Sequence, residues 1–406
     1  MMSPVEQWIA EKTGLNDNLS AESLRAWQET QLQKQIQYAT NNSSFYREKL
    51  KPYSRLTELP FTHPSELVAQ PQAFLCIPQH QVARVVTLSN SGTTPLRKRI
   101  FYSTNDLSNT IDFFAAGMKT MIQSGNHACI LLSNRTENSL ASLLRQSLLR
   151  INVSADIPGT LRSADEALNA VQDADCIVGM PSEILYLSCL DKKLRPKSVL
   201  LAADIAPQAV IDRIKENWQC DVFTHYGHTE FGYGCAVDCN CHDGLHIRHA
   251  DLIIEIIKPE TMQPALDGQK GEVVVTTLSN EAMPLIRYRT GQISHLINAP
   301  CKCGSSLPRL GKIEGRYQDF FPVNNLSSLN IHELDEIIFS NHLVRSYFAS
   351  LRQDESSSVL MLDIESEKPV DISVLMNYIP GEIQVKINYT NADPFARRIK
   401  RRVFVN

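Results

Sequence analysis

The chain has 406 residues, more than one ordinary hydrophobic core accommodates and enough for a large domain with a small companion. It is 43% hydrophobic and 21% charged with a formal net charge of −4, the composition of a globular protein in water and no invitation to nucleic acid. No apolar run approaches the ~20 residues of a membrane helix. The N-terminus MMSPVEQWIAEKTGL lacks a basic head followed by an apolar run, so a cytoplasmic protein with no membrane partner is expected.

Residues 1–80 read as helices and loops. AESLRAWQETQLQKQIQYATNNS carries apolar residues at helical spacing and ends at Asn41-Asn42. From Val82 the pattern changes. VARVVTLS and KRIFYS are strand candidates with the loop LSNSGTTPLRK between them, and Ser103 or Thr104 caps the amphipathic helix NDLSNTIDFFAAGMKTMIQ. Strands ACILLS, INVSADI, DCIVGM, KSVLLAADI and DVFTHYG then alternate with helices ENSLASLLRQSLLR, SADEALNAVQ, PSEILYLSCL and PQAVIDRIKENW. Such alternation marks an α/β fold with a parallel sheet core and helices on its faces. After Gly234, DLIIEIIKP, GEVVVTTLS and PLIRYRTGQISHLI predict a β-rich subdomain over about 235–315. The tail from about Tyr317 reads helix-helix-strand-helix-strand, with VRSYFASLR as the second helix. The expected layout is a large domain over 1–315 and a small mobile α/β lid over 316–406.

Chemistry concentrates in a few places. Ser89, Ser91, Gly92, Thr93 and Thr94 offer hydroxyls and backbone N–H donors in a short concave run, and Arg97, Lys98 and Arg99 add charge. No G-K-[ST] ends the loop, so it is not a Walker loop. In HYGHTE, Tyr226 could stack on a base and Thr229 bond a phosphate, while Glu230 is a hard oxygen ligand suited to Mg²⁺. In PLIRYRTGQ, Arg287 and Arg289 fall on one face of a strand, where they could receive a phosphate or pair with carboxylates. KIEGRYQDF places Arg316 and Asp319 where the β-rich part gives way to the tail.

SNSGTTPLRK, YGHTE, PLIRYRTGQ, CKCG and IEGRYQD, in this order and spacing, resemble the phenylacetate–CoA ligase branch of the adenylate-forming enzymes. The resemblance covers roughly Ser89 to Asp319. It implies that a carboxylic acid attacks the α-phosphate of ATP to give an acyl-adenylate, and that a thiol, usually coenzyme A, then takes the acyl group. It also implies roles. Ser91, Gly92, Thr93, Thr94 and Lys98 would hold the β,γ-phosphates. Tyr226 with Gly227 would face adenine, Thr229 the α-phosphate, Glu230 the Mg²⁺, and Arg316 the ribose or phosphate. Related ligases are often dimers, so the resemblance admits a homodimer, while the sequence itself is silent on oligomeric state. The acyl pocket would involve DFFAAGM and residues near Phe231 and Tyr233, and His225 either lines it or is a core histidine.

The chain departs from the family pattern in several places. Pro95 replaces a loop glycine, fixing φ and removing an N–H donor. Gln292 stands where the family carries the aspartate expected to hold both ribose hydroxyls, and an amide has one acceptor oxygen. Gln318 replaces half of a hinge carboxylate pair, and FFPVNNLSS lacks the glycine expected near the pantetheine channel. Lys400 in RRIKRRVFVN is the candidate for the lysine of the last domain, although the usual preceding glycine is absent. A solvated basic tail is the other reading.

There are ten cysteines. Cys76, Cys129, Cys176, Cys189 and Cys220 are scattered and read as buried thiols. CAVDCNCHDGLHIRH and CKCG form two short ligand clusters that could pin two loops on one tetrahedral Zn²⁺. The related ligases' pattern selects Cys239, His246, Cys301 and Cys303, leaving Cys241 and His242 outside a closed, structural site. The leading functional expectation is an ATP-dependent ligase joining an aryl or aryl-like acid to CoA. The alternative is a related enzyme with weak or no ATP chemistry, handling an acyl group on the pantetheine arm of CoA or an acyl carrier protein. A zinc-stabilised interaction protein ranks last, because Lys98, Tyr226, Thr229, Glu230 and Arg316 occur together.

Overall fold

Short apolar segments with no polar alternation form strands buried on both faces. Cys176–Gly179 and Ser198–Leu201 are buried along their whole length. They lie inside a parallel sheet ordered Ser154–Asp156, His127–Ile130, Cys176–Gly179, Ser198–Leu201 and Asp221–Tyr226. The computed structural model describes residues 2–51, 53, 55–88, 97–317, 320–322, 328–354, 357–371, 373–379, 383–397 and 403–405. The chain divides into two compact units. One comprises Met1–Thr120, Thr136–Ile151 and His225–Ile313; the other comprises Met121–Arg135, Asn152–Thr224 and Glu314–Asn406. Among the described residues no helix is long and apolar enough to cross a membrane.

In the second unit, helices Ala164–Val171, Pro181–Leu190 and Gln208–Trp218 follow the parallel strands. The tail contributes the sheet order Ile383–Tyr389, Ser357–Ser366, Val344–Asp354 and Val403–Val405. Trp218, Ile177, Leu334, Tyr347 and Leu362 share one apolar core. The segment VRSYFASLR, expected as a helix, is instead part of the strand Val344–Asp354, antiparallel to Ser357–Ser366. Tyr347, Ala349 and Leu351 are buried at a spacing of two, the period of a strand. Its helix-compatible composition yields to a partner on each side. The buried Arg213 adds a cap, donating to the carbonyl oxygens of Phe339, His342 and Val344.

The first unit holds Lys98, Tyr226, Gly227, Thr229, Glu230 and Gln292. Its helix Thr104–Met118 starts where Ser103 Oγ accepts from Asp106 N and Asp106 Oδ2 accepts from Ser103 N, a capping box worth about 1 kcal/mol. Asp106 also accepts from the backbone of Glu281 and Ala282, fixing the helix to the loop that leads into Tyr288–Ser294. That strand pairs with Gly271–Thr277, which pairs with Leu252–Ile257. A register shift leaves Thr290, Gly291 and Gln292 opposite Val273, and Gly291 takes φ +74°, a conformation suited to glycine. A hairpin joins Arg84–Leu88 to Lys98–Tyr102. A second antiparallel run passes from His225 and Tyr226 through Ala236–Val237, Leu245–Ile247 and Arg309–Leu310 to Leu296–Ile297.

Candidate active site

Lys98 opens its strand, and its ammonium Nζ lies 2.7 Å from Glu230 Oε1. Glu230 sits in the single turn Thr229–Phe231 that follows Asp221–Tyr226. Tyr288, from a third element, closes a triangle: its hydroxyl accepts from Lys98 Nζ at 3.1 Å and donates to Glu230 Oε1 at 3.1 Å. The side chains of Lys98 and Glu230 are only 14% and 7% exposed, so the pair is shielded from water and salt. Gly227 permits the tight turn that presents Glu230. A Cβ there would stand 1.6 Å from the Tyr233 carbonyl oxygen, while Tyr233 N donates to His228 O at 2.7 Å. Tyr102 donates its hydroxyl to the Thr229 carbonyl, holding the same turn from the hairpin.

The far side of Glu230 faces His228, whose Nδ1 is 3.5 Å from Glu230 Oε2. His228 Nε2 in turn lies 2.5 Å from Gln292 Oε1, and with the amide so oriented Nε2 donates and the amide oxygen accepts. The ring of His228 stacks on Phe231 at 5.2 Å and stands edge-on to Tyr226 at 5.5 Å. Burial pushes the Glu230 carboxyl up, but the hydrogen bond from His228 and the charges of His228 and Lys98 outweigh it and hold the group well below the usual carboxylate range. Glu230 is therefore an ionised carboxylate in a dry place. The arrangement can deliver a cation to an incoming anion and expose a hard oxygen ligand in its stead.

Of the residues singled out in the sequence, Lys98, Tyr226, Gly227, Thr229, Glu230 and Gln292 all fall within this neighbourhood of the first unit. Tyr226 is buried and Thr229 half-buried. Ser91, Gly92, Thr93, Thr94, Pro95, Gln318, Asp319 and Lys400 lie outside the described residues. Arg316 is exposed and belongs to the second unit. The two arginines of PLIRYRTGQ pair with carboxylates. Arg287 holds Glu255 at 2.9 Å, Arg289 holds Glu272, and both guanidinium groups lie over Phe61. They brace the three-stranded sheet. In the helix DFFAAGM, Phe113 is core, and a Cβ on Gly234 would press on both Phe113 and Phe114 at 2.8 Å.

His228 and Tyr288 escaped the sequence reading as members of this network. Tyr288 lies between the two arginines that drew attention, and the buried Tyr102 lies in a hairpin read only as strand; nothing in their spacing points toward Glu230. His228 was visible within HYGHTE, and its adjacency to a buried glutamate was the usable signal.

A second constellation gathers beside the antiparallel run. Cys239, His246, Cys301 and Cys303 each bring one ligand atom, and these atoms all lie within 4.8 Å of one another. The Sγ atoms of Cys239 and Cys301 are 3.7 Å apart, and Cys303 Sγ is 3.5 Å from His246 Nε2. None of the ten cysteines is in a disulfide. The knuckle is shaped by Cys301 N donating to Ser305 O and Gly304 N donating to Cys301 O. Burial keeps His246 neutral, its pKa brought down from 6.5 to about 4, which is the form that ligates metal. Burial pushes the Cys239 thiol up. At Cys301 burial acts the same way but is outweighed by hydrogen bonds from Cys303 and Cys239 and by the charge of Arg309, so that thiol is shifted down. His242 turns instead to Asp238 at 2.7 Å, and Cys241 is half-buried. Three sulfurs and one neutral imidazole at mutual contact fit a tetrahedral zinc site with no open position.

No protein-family model matches the chain. It is 25% identical to the phenylacetate-coenzyme A ligase of Thermus thermophilus, over 96% of this chain and 92% of that one. It is 27% identical to the phenylacetate-coenzyme A ligase of Aromatoleum evansii, over 86% and 83%. A solved 2-hydroxyisobutyryl-CoA ligase, in its postadenylation state with R3-HIB-AMP, superposes with a TM-score of 0.79 at 19% identity, over 94% of this chain and 89% of that one. The fold is that of the adenylate-forming enzymes. Over most of its length the chain is similar to phenylacetate–coenzyme A ligases.

Proposed function

We propose that this chain activates a carboxylic acid with ATP and passes the acyl group to coenzyme A, with an aryl or aryl-like acid as substrate. The observation that carries the reading is the meeting of Lys98, Glu230 and Tyr288 from three distant segments, one cation and one ionised carboxylate held ready in a buried place. Lys98 is kept ordered and partly dehydrated by Glu230 until a triphosphate enters, and then turns its ammonium to the phosphate oxygens. Glu230 is thereby released toward a divalent ion. One buried, ionised carboxylate with hard oxygens fits Mg²⁺, which when bound neutralises phosphate charge in the transition state. Thr229 stands next to Glu230 to meet the α-phosphate. An oxygen of the acid attacks the α-phosphorus, and the bond to the bridging oxygen of pyrophosphate breaks. In the second step the thiolate of coenzyme A attacks the acyl carbon and AMP leaves. Residues 316–406, with Arg316 at their start, serve as the small domain of this cycle. Cys239, His246, Cys301 and Cys303 hold a structural Zn²⁺ that fastens two loops and takes no part in the chemistry.

A second reading rests on Gln292. Its one acceptor oxygen is engaged by His228, so a nucleotide ribose meets an amide already in use. That favours an enzyme with weakened ATP affinity whose main work is on an acyl group carried by a pantetheine arm of CoA or an acyl carrier protein. Pyrophosphate release is measured with ATP, Mg²⁺ and a panel of aryl and short branched acids, with and without CoA. Acid-dependent release followed by CoA-dependent thioester formation is expected. No release with any acid, alongside acyl exchange between pantetheine thiols, would move the conclusion to the second reading.

A further inference from the structure

Arg309 has no exposed side-chain surface and lies in the short strand Arg309–Leu310, directly opposite His246 in the antiparallel pair with Leu245–Ile247. Residues directly opposite in such a pair project from the same face of the sheet, so the guanidinium shares its face with a metal-ligating imidazole. Its contacts reach both ligand-bearing loops. Nη2 donates to the carbonyl oxygen of Ala299 at 2.9 Å, two residues before Cys301. Nη1 lies 3.0 Å from Asp243 Oδ2, in the loop between Cys239 and His246, within ion-pair range but without hydrogen-bond alignment. Asp243 is half-exposed, so it neutralises a fully buried cation poorly. Nε and Nη1 are buried and have no aligned acceptor among the described residues. A buried guanidinium with donors left over calls for an anionic acceptor nearby.

We propose that Arg309 is the positioning residue of the Cys239–His246–Cys301–Cys303 centre, its buried guanidinium offsetting the centre's excess negative charge and donating N–H bonds to thiolate sulfur. The inference rests on the zinc reading above. Three thiolates and a neutral imidazole around a dication leave one net negative charge, and one fully buried cation stands across the strand from it. Thiols are weak acceptors, whereas metal-bound thiolates accept N–H donors well, so the leftover donors gain partners when the centre is filled.

The test uses the full chain loaded with Zn²⁺, and in parallel with Co²⁺ as a spectroscopic probe. Zinc transfer to a chromogenic chelator is timed for the native chain, R309M and D243N. Removal of such a partner typically weakens metal hold by about tenfold or more, so R309M is expected to release zinc about tenfold faster. The sulfur-to-cobalt charge-transfer band should move to longer wavelength, because sulfur lone pairs rise in energy when N–H donors are lost. D243N keeps the guanidinium and should hold zinc like the native chain. Release from R309M less than about threefold faster, or a D243N variant that matches R309M, overturns the proposal and leaves Arg309 as a tie between loops. If R309M does not fold, R309K carries the test by the same threefold criterion, since it keeps a charge but removes Nε. A native chain that takes up neither Zn²⁺ nor Co²⁺ sinks the metal reading, and this inference with it.

Discussion

The Lys98–Glu230 site and the Cys239–Cys303 cluster are both assembled from distant segments of one unit, but from opposite materials. The first is made of long side chains that satisfy one another: ammonium, carboxylate, phenol, imidazole and amide in one chain of contacts. The second is made of short side chains on tight loops, with their ligand atoms facing one point. Long groups held by exchangeable hydrogen bonds can give up a partner to a substrate. Short thiols and an imidazole gathered within 4.8 Å of one another have no such partner to trade. The contrast teaches that burial alone does not distinguish the two sites; the freedom of their groups to trade partners does.

The sharpest way to break this comparison is to remove the exchangeable cation. Lys98→Met should lower acid-dependent pyrophosphate release by roughly 10²–10³, with zinc content unchanged. Full activity in the variant would place the phosphate cation elsewhere. The complementary experiment empties the fastening cluster. Chelation, or the pair Cys301→Ser and Cys303→Ser, should lower the thermal midpoint by roughly 5–10 °C, equivalent to about 2–4 kcal/mol. Pyrophosphate release measured well below that midpoint should stay within about threefold of the native rate, since the centre is not asked to do chemistry. A midpoint that does not move would show that the loops hold without metal.

A pH experiment sharpens the comparison further. His249 is buried and donates to the carbonyl oxygen of Pro308 at 2.9 Å, and burial brings its pKa down from 6.5 to about 4. The unfolded chain takes up a proton near 6.5 and the folded chain resists until about 4. Its contribution to stability is therefore complete above pH 6.5 and is lost as the pH falls through that interval. His249→Gln should flatten the fall in unfolding free energy by up to about 3 kcal/mol in urea titrations at neutral and acid pH. An unchanged slope would mean that the folded chain protonates this ring as readily as the unfolded one. The smallest effect is expected at Gln292. Gln292→Ala removes the acceptor for His228 and should cost about 1 kcal/mol of stability and roughly fivefold in the Michaelis constant for ATP. No change in either would detach Gln292 from the Glu230 network.

Parts of this structure were legible before any coordinates. The βα alternation from Val82 to Tyr226 announces itself because each segment carries its own period and its own caps, as Ser103 does for its helix. The thiol pairs are legible because C-x-C and C-x₆-H put ligands on short loops. The strand Val344–Asp354 was not, because an apolar segment of that length suits either period until partners exist on both sides. The two arginines of PLIRYRTGQ were visible as cations, but whether they meet phosphate or carboxylate depends on Glu255 and Glu272, which lie on two other strands.

The amino-acid sequence alone determined the class of fold and the family resemblance, and through that resemblance it pointed to Cys239, His246, Cys301 and Cys303. Only the tertiary structure decided that Lys98 rests on Glu230, that Tyr288 joins them, that Gln292 spends its oxygen on His228, and that Arg309 lies buried against the ligand loops. Gln292 lies in the register shift opposite Val273, and Glu230 follows the glycine turn at Gly227. A shift of one residue in a strand reverses which face its side chains meet, and no local pattern records it.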